Sequence, residues 1–245
     1  MDLPEGKCLI KRKNEKIYTF LTLRRYYIDE FYIRNICLFK QGANILDMGG
    51  KKKNKRGYFN IESYPLSVKY ANIDASTEPD FFCDVADIPV PDSSFDGVVC
   101  SELLEHVLDP IKVIKEAFRV LKPGGLLLVS VPFLHRIHPD PQDYGRYTEY
   151  YWQTILNAIG FQNIKTERQG LFFSVASEML TGFAYEIIKE RMKSRIKRLM
   201  RLTIYKLAVF GKRIALKFDR RPFFKKNQFF NSYTTGYGII ATKPL

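Results

Sequence analysis

The chain has 245 residues, 46% hydrophobic and 27% charged, with a formal net charge of +13. That is apolar enough for one packed domain with elaborations, which excludes a disordered tail or a fibrous repeat. Cys8, Cys37, Cys83 and Cys100 are scattered with no C-x-x-C pair, which argues against zinc and a disulfide framework and for a reducing, cytoplasmic setting.

The opening residues, Met1–Lys7, lack the basic-then-apolar pattern of a secretory signal. Residues 1–40 mix charged residues with Tyr18, Phe20, Tyr26, Tyr27, Phe31 and Tyr32 in a helical rhythm and read as a helical lead-in. Short apolar strands follow at 44–48, ending in Gly49-Gly50, at 68–73, closed by Asp74, at 81–84 and at 95–100. Pro110–Lys122 carries an apolar stripe at helical spacing, stopped by Pro123-Gly124-Gly125. Leu126–Val131 is continuously apolar, as a strand buried on both faces should be. A helix at 148–159, a strand at 163–168 and a last strand at 235–242 complete the pattern. Alternating strands and helices predict a mostly parallel Rossmann-like sheet with helices on both faces. Ligands of such sheets bind beyond the carboxyl ends of the strands, where the unusual polar residues of this chain fall.

Asp47-x-Gly49-Gly50 lets backbone approach a ligand closely, and Asp74 can accept hydrogen bonds from two ribose hydroxyls. Taken alone, the first could be an ordinary tight turn and the second a turn or helix-capping carboxylate. Together they suit a nucleoside cofactor. A dinucleotide needs G-x-G-x-x-G to seat its pyrophosphate, whereas here the glycines give way to Lys51-Lys52-Lys53-Asn54-Lys55-Arg56. S-adenosylmethionine (SAM), with no phosphate and a cationic sulfonium, has no such need. The lysines are expected to point outward, toward solvent or an acidic acceptor.

Three further stretches carry a resemblance: Cys83-Asp84-Val85-Ala86-Asp87-Ile88-Pro89, Asp92 to Val107 with its Glu105-His106-Val107 box, and Arg119 to Gly125 with its Lys-Pro-Gly-Gly turn. Together they resemble the class I SAM-dependent methyltransferases over about residues 43–165, in the branch related to quinone and small-molecule enzymes. The resemblance implies a seven-stranded sheet with residues 41–170 and 232–245 as its core. It implies that Asp47, Gly49 and Gly50 line the methionine end of SAM and that Asp74 holds the ribose. Asp84 and the Val85 backbone would meet the adenine amino group, and Ser101 and Glu102 would floor the pocket near the sulfonium. The sequence departs from the family where Lys51 and Lys52 stand in place of a further glycine.

After the fifth strand, Pro132 to Thr148 concentrates His, Asp, Tyr and Arg in a proline-rich loop. This run resembles methyltransferases found with bacterial polysaccharide biosynthesis, which implies a sugar or related hydroxyl of a glycan or lipid-linked precursor as acceptor. A hydroxyl benefits from a positioned base; His138 is the first candidate and His135 the second, unless both merely orient the loop. Asp143 is grouped with them; with Arg146 it could instead form an ion pair or bind the acceptor. Tyr144 and Tyr147 suit a sugar face, and His106 reads as supporting structure. No metal site is expected.

Residues 171–231 form an extra basic segment before the last strand. Between Thr181 and Asn231 there are 15 Lys and Arg against three acids, Glu186, Glu190 and Asp219. Ile188, Met192, Ile196, Leu199, Thr203, Leu207, Phe210, Ile214 and Phe218 recur at helical spacing, predicting one amphipathic helix or a pair broken near Gly211. It could pack as a lid, or lie on the inner face of a membrane through 183–230 with Phe223, Phe224, Phe229 and Phe230. Nucleic-acid contact ranks last, since no RNA-binding module accompanies the charge. The alternatives to a sugar methyltransferase are an RNA methyltransferase and a non-catalytic SAM-fold adaptor.

Overall fold

The computed structural model describes residues 22–53, 55–138, 142–191 and 195–245, with backbone alone over 187–202 and at 205. Tyr18 and Phe20 of the lead-in, Asp140 of the acceptor loop and Met192 of the basic stripe lie outside the described residues. The lead-in contains helix α1 (Leu23–Asn35), whose first turn is capped by Thr22, its hydroxyl accepting from the Arg25 N–H at 3.1 Å.

Strands β1 (Asn44–Met48), β2 (Ser67–Asn72), β3 (Phe81–Phe82), β4 (Phe95–Ser101), β5 (Leu121–Pro132), β6 (Gln162–Gln169) and β7 (Gly236–Thr242) form one sheet in the order β3-β2-β1-β4-β5-β7-β6. All neighbours are parallel except β7, which runs antiparallel to β5 and β6. The expected architecture is present. Alternation sorts the side chains between two cores. Leu46, Met48, Val98, Cys100, Leu127 and Val129 face helices α2 (Pro110–Val120) and α3 (Glu149–Ile159), while Ile45, Val99, Leu126 and Leu128 pack with Ile28, Phe31 and Tyr32 of α1.

Four local expectations are corrected. Helix α2 stops at Val120, and β5 begins at Leu121, so Lys122–Gly125 is a bulge within the strand, shifting its register against β4. The basic segment contains a helical pair, α4 (Phe172–Arg191) and α5 (Arg195–Asp219), and α5 runs straight through Gly211 where a break was expected. Leu207 and Phe210 of the expected inner stripe are more than half exposed, whereas Ala215 and Asp219 are buried. Cys37 is disulfide-bonded while Cys83 and Cys100 are free thiols, because even sequence scatter says nothing about proximity in space.

The helical pair is anchored by charge and rings. Asp219, at the end of α5, accepts hydrogen bonds from the N–H groups of Leu171, Phe173 and Ser174, so it caps the start of α4. Phe173 packs against Phe218, Phe224 and Phe230, using half of the aromatic set expected at a membrane; Phe223 and Phe229 remain exposed. Short helices α6 (Pro222–Lys226) and α7 (Gln228–Asn231) lead back to β7. No described helix is long and apolar enough to cross a membrane.

Candidate active site

The strand order reverses between β1 and β4, and in such sheets the cleft opens at the carboxyl tips flanking that point. On the β1 side, Gly49 turns with φ +76°, where its N–H donates to the Ala71 carbonyl at 2.8 Å. A Cβ on Gly50 would fall 2.2 Å from the Asp47 carboxyl carbon, so only glycine fits beside that side chain. Asn72, buried at the end of β2, holds the turn by donating its amide to both the Gly49 and Gly50 carbonyls at 3.0 Å. Sequence reasoning missed Asn72, because nothing in the chain order signals that its amide reaches back across more than 20 residues.

Burial pushes the Asp47 carboxyl up to about 7; Lys55 opposes the shift and Glu62 adds to it. A buried acid raised in this way lacks a contact cation, and the α-ammonium of a methionine-type ligand would supply one. The loop lysines point outward, as expected, yet onto the chain's own acids: Lys52 pairs with Asp80 at 3.1 Å, Lys53 with Glu78 at 2.7 Å and Lys55 with Glu62 at 3.1 Å.

Asp74 and Asp84 both stand exposed at neighbouring strand tips. Each already serves a local turn. Asp74 Oδ1 accepts from the Ser76 N–H at 3.0 Å and hydroxyl at 2.6 Å, which holds its carboxyl below the usual range; Asp84 Oδ1 accepts from the Ala86 N–H at 2.9 Å. The capping reading of Asp74 is therefore real. Ile73, a further residue the sequence reading passed over, is 70% exposed beside Asp74 and offers an apolar face. The Val85 side chain is buried in the core.

Across the switch point the tip of β4 is charged and half-buried. The Ser101 and Ser130 hydroxyls are 3.1 Å apart. Glu102 adopts φ +50°, a left-handed conformation that costs a non-glycine residue about 1–2 kcal/mol, held by its N–H donating to the Ser130 carbonyl at 2.9 Å. Its carboxylate is not a bare pocket floor. Arg24 of α1 clamps it by donating from Nε and Nη2 to its two oxygens, and donates from Nη1 to Gln169 Oε1 at 2.6 Å. Glu105, three residues on, is 2% exposed, and neither carboxylate oxygen meets a hydrogen-bond partner; burial, reinforced by Glu102, drives its carboxyl well above the ordinary range.

The acceptor loop is pinned over this segment. The Tyr144 N–H donates to the Glu105 carbonyl at 2.7 Å, and His106 Nδ1 meets the Gln142 carbonyl at 2.6 Å. Asp143 and Arg146 form a two-pronged ion pair, and the Asp143 carboxylate also accepts from the His138 N–H at 3.0 Å. With its charge engaged, Asp143 orients His138 rather than facing an acceptor. His135 and His138 lie edge to face with centroids 5.2 Å apart; burial, then His138, depresses the His135 imidazole to about 4, so it is neutral at ordinary pH. Tyr144 is 49% exposed. Tyr147 is instead stacked on Tyr151 at 4.2 Å and edge-on to Trp152, so its ring faces packing more than a sugar.

A mostly parallel sheet that reverses its order between β1 and β4, with a glycine turn at β1 and acidic residues at the strand tips, defines a Rossmann-like fold. Residues 42–129 of the chain match the family described as "Methyltransferase domain". The cofactor that this match supports is SAM. The chain is 47% identical over 49 residues to a probable S-adenosylmethionine-dependent methyltransferase of Mycolicibacterium smegmatis, covering 20% of this chain and 19% of that one. It is 36% identical over 95 residues to the ubiquinone biosynthesis O-methyltransferase of Colwellia psychrerythraea, covering 38% and 35%. The matched stretches thus span at most about a third of these relatives' lengths. In fold it resembles the (4+2)-cyclase SpnF, with TM-score 0.56 and 19% identity over 90% of this chain and 82% of that one.

Proposed function

We propose that the chain transfers the methyl group of SAM to a hydroxyl of a glycan or lipid-linked sugar held by the loop after β5. One observation carries this reading: the loop that overhangs the switch point is fastened to the β4 tip and collects imidazoles there, as hydroxyl chemistry requires. SAM supplies an electrophilic methyl carbon, whose bond to sulfur breaks, the electron pair staying on sulfur, as the bond to the acceptor oxygen forms.

The chain's own residues bind, align and manage the proton. Asp47 meets the ammonium, the Gly49-Gly50 turn admits the methionine end, and Asp74 takes the ribose hydroxyls. Ile73 covers one face of the adenine, with Asp84 and the Val85 backbone at its edge. Ser101 and the Arg24-bound Glu102 border the sulfonium. His138 addresses the acceptor hydroxyl, oriented by Asp143 and Arg146, and Tyr144 offers its exposed ring to the sugar. Alignment supplies much of the acceleration in such a displacement.

A second feature bears on where the acceptor comes from. Phe183 of α4 and Leu207 and Phe210 of α5 project outward among many Lys and Arg, a combination suited to an anionic lipid interface. The reading is therefore of peripheral attachment at the inner membrane face. The test is incubation with methyl-labelled SAM and separated glycans, lipids and RNA. Label in a glycan or lipid-linked sugar is the expected result. Label in RNA alone would replace the acceptor, and absence of label despite SAM binding would favour the adaptor.

A further inference from the structure

The chain has 3 histidines, and the fold brings all of them together. His106 and His135 each lie edge-on to His138 with ring centroids 5.2 Å apart. Against them sits Glu105, 2% exposed, with two carboxylate oxygens that no hydrogen bond satisfies. A buried carboxylate left without a partner is costly. Its surroundings contain the partner's other ligands. His106 Nε2 stands 3.7 Å from Glu105 Oε1, and one donor atom each from Glu105, His106 and His138 lie within 4.8 Å of one another.

Both of these imidazoles are already engaged on one side. His106 Nδ1 donates to the Gln142 carbonyl at 2.6 Å. His138 Nδ1 donates to the Arg136 carbonyl at 3.2 Å and lies 3.4 Å from Asp143 Oδ2. A carbonyl can only accept, so the proton is on Nδ1 and the lone pair on Nε2. Metal-ligating histidines are oriented in this way by carbonyls and carboxylates behind them.

We propose that Glu105, His106 and His138 form a site for a divalent transition-metal ion at the acceptor side of the cleft. Two imidazole nitrogens and one carboxylate suit Zn²⁺, Fe²⁺ or Mn²⁺ and leave coordination positions open. Metal–ligand distances of roughly 2.0–2.2 Å place ligand atoms about 3–3.5 Å apart, so the cluster closes by a small inward shift. The scattered cysteines argue only against a thiolate site, and a histidine–carboxylate set escapes that argument. The purpose of the ion rests on the hydroxyl-methylation reading. An open position would take the acceptor hydroxyl and lower its pKa, and the proton it releases would pass to water. His138 then acts on the acceptor through the ion and not as the base.

The test uses the full chain, stripped with a chelator and dialysed. It is titrated with Zn²⁺ by calorimetry and with Co²⁺ by visible absorption. One saturable equivalent is expected, weakened at least about 100-fold in His106→Ala, His138→Ala and Glu105→Gln, and unchanged in Cys83→Ser. SAM affinity within about twofold of the parent shows that the histidine variants are folded; should Glu105→Gln fail to fold, these two carry the test. Absence of saturable binding, or equal affinity in both histidine variants, overturns the site. Metal is read here without methyl transfer, so the two readings fail separately. Metal bound by a protein that labels no hydroxyl sinks the acceptor and keeps the site. His138-dependent labelling by a protein that binds no metal does the reverse.

Discussion

The two halves of the cleft are built by different means. On the cofactor side, Asp74 and Asp84 are exposed and held by hydrogen bonds to residues two positions away. On the acceptor side, Glu102 and Glu105 are ion-paired or buried, and the contacts that hold this region come from far along the chain: Arg24 to Glu102 across 78 positions, Arg24 to Gln169 across 145, His106 to Gln142 across 36. Locally held carboxylates at water's edge can be altered with little effect beyond their ligand. Buried charges held across the fold bind the site to the stability of the whole domain.

That contrast can be broken or sharpened by experiment. The largest effect is expected for His138→Ala, which should lower turnover by on the order of 10²–10⁴-fold while leaving SAM affinity nearly unchanged; steady-state kinetics beside calorimetry checks both. Arg24→Ala leaves Glu102 in a largely buried place without its cation, and removing one partner of such a pair costs about 3–5 kcal/mol, to be read by denaturant unfolding. Loss of SAM affinity without loss of stability there would contradict the long-range role assigned to Arg24. Asp74→Ala should do the opposite, weakening SAM roughly 10–100-fold, the range of a charge-assisted hydrogen bond, while the melting temperature stays put.

A pH dependence is also expected at Asp47. Its carboxyl moves from 3.8 in the unfolded chain to about 7 in the fold, so between those values the folded protein holds a proton that the unfolded chain has lost. Stability without ligand should therefore fall as pH rises from about 4 to about 7 and level off above. A cationic ammonium needs the ionised form, so SAM affinity should rise by up to about tenfold per pH unit below 7 and then flatten. A flat profile would remove Asp47 from the ammonium.

Much of the fold was legible in the chain itself. Period-two and unbroken apolar runs located each strand of the sheet to within a few residues, and Gly160, with φ +113°, ends α3 where its position implies. The errors fall where a tertiary contact overrides a local signal. The Lys-Pro-Gly-Gly stretch reads as a turn, yet pairing along β4 draws it into β5 as a bulge. The stripe on α5 reads as a buried face, but among its described side chains the buried ones are Ala215 and Asp219, in its last turns.

The amino-acid order by itself determined the sheet, the glycine turn, the acidic strand tips and the collection of polar residues after β5, since all of these are written in spacings of a few residues. Only the tertiary structure decided that Arg24 would neutralise Glu102, that His106 would reach Gln142, and that Glu105 would sit unsatisfied beside His106 and His138. Burial and charge pairing depend on which distant segments share one low-dielectric volume, and no local pattern records that.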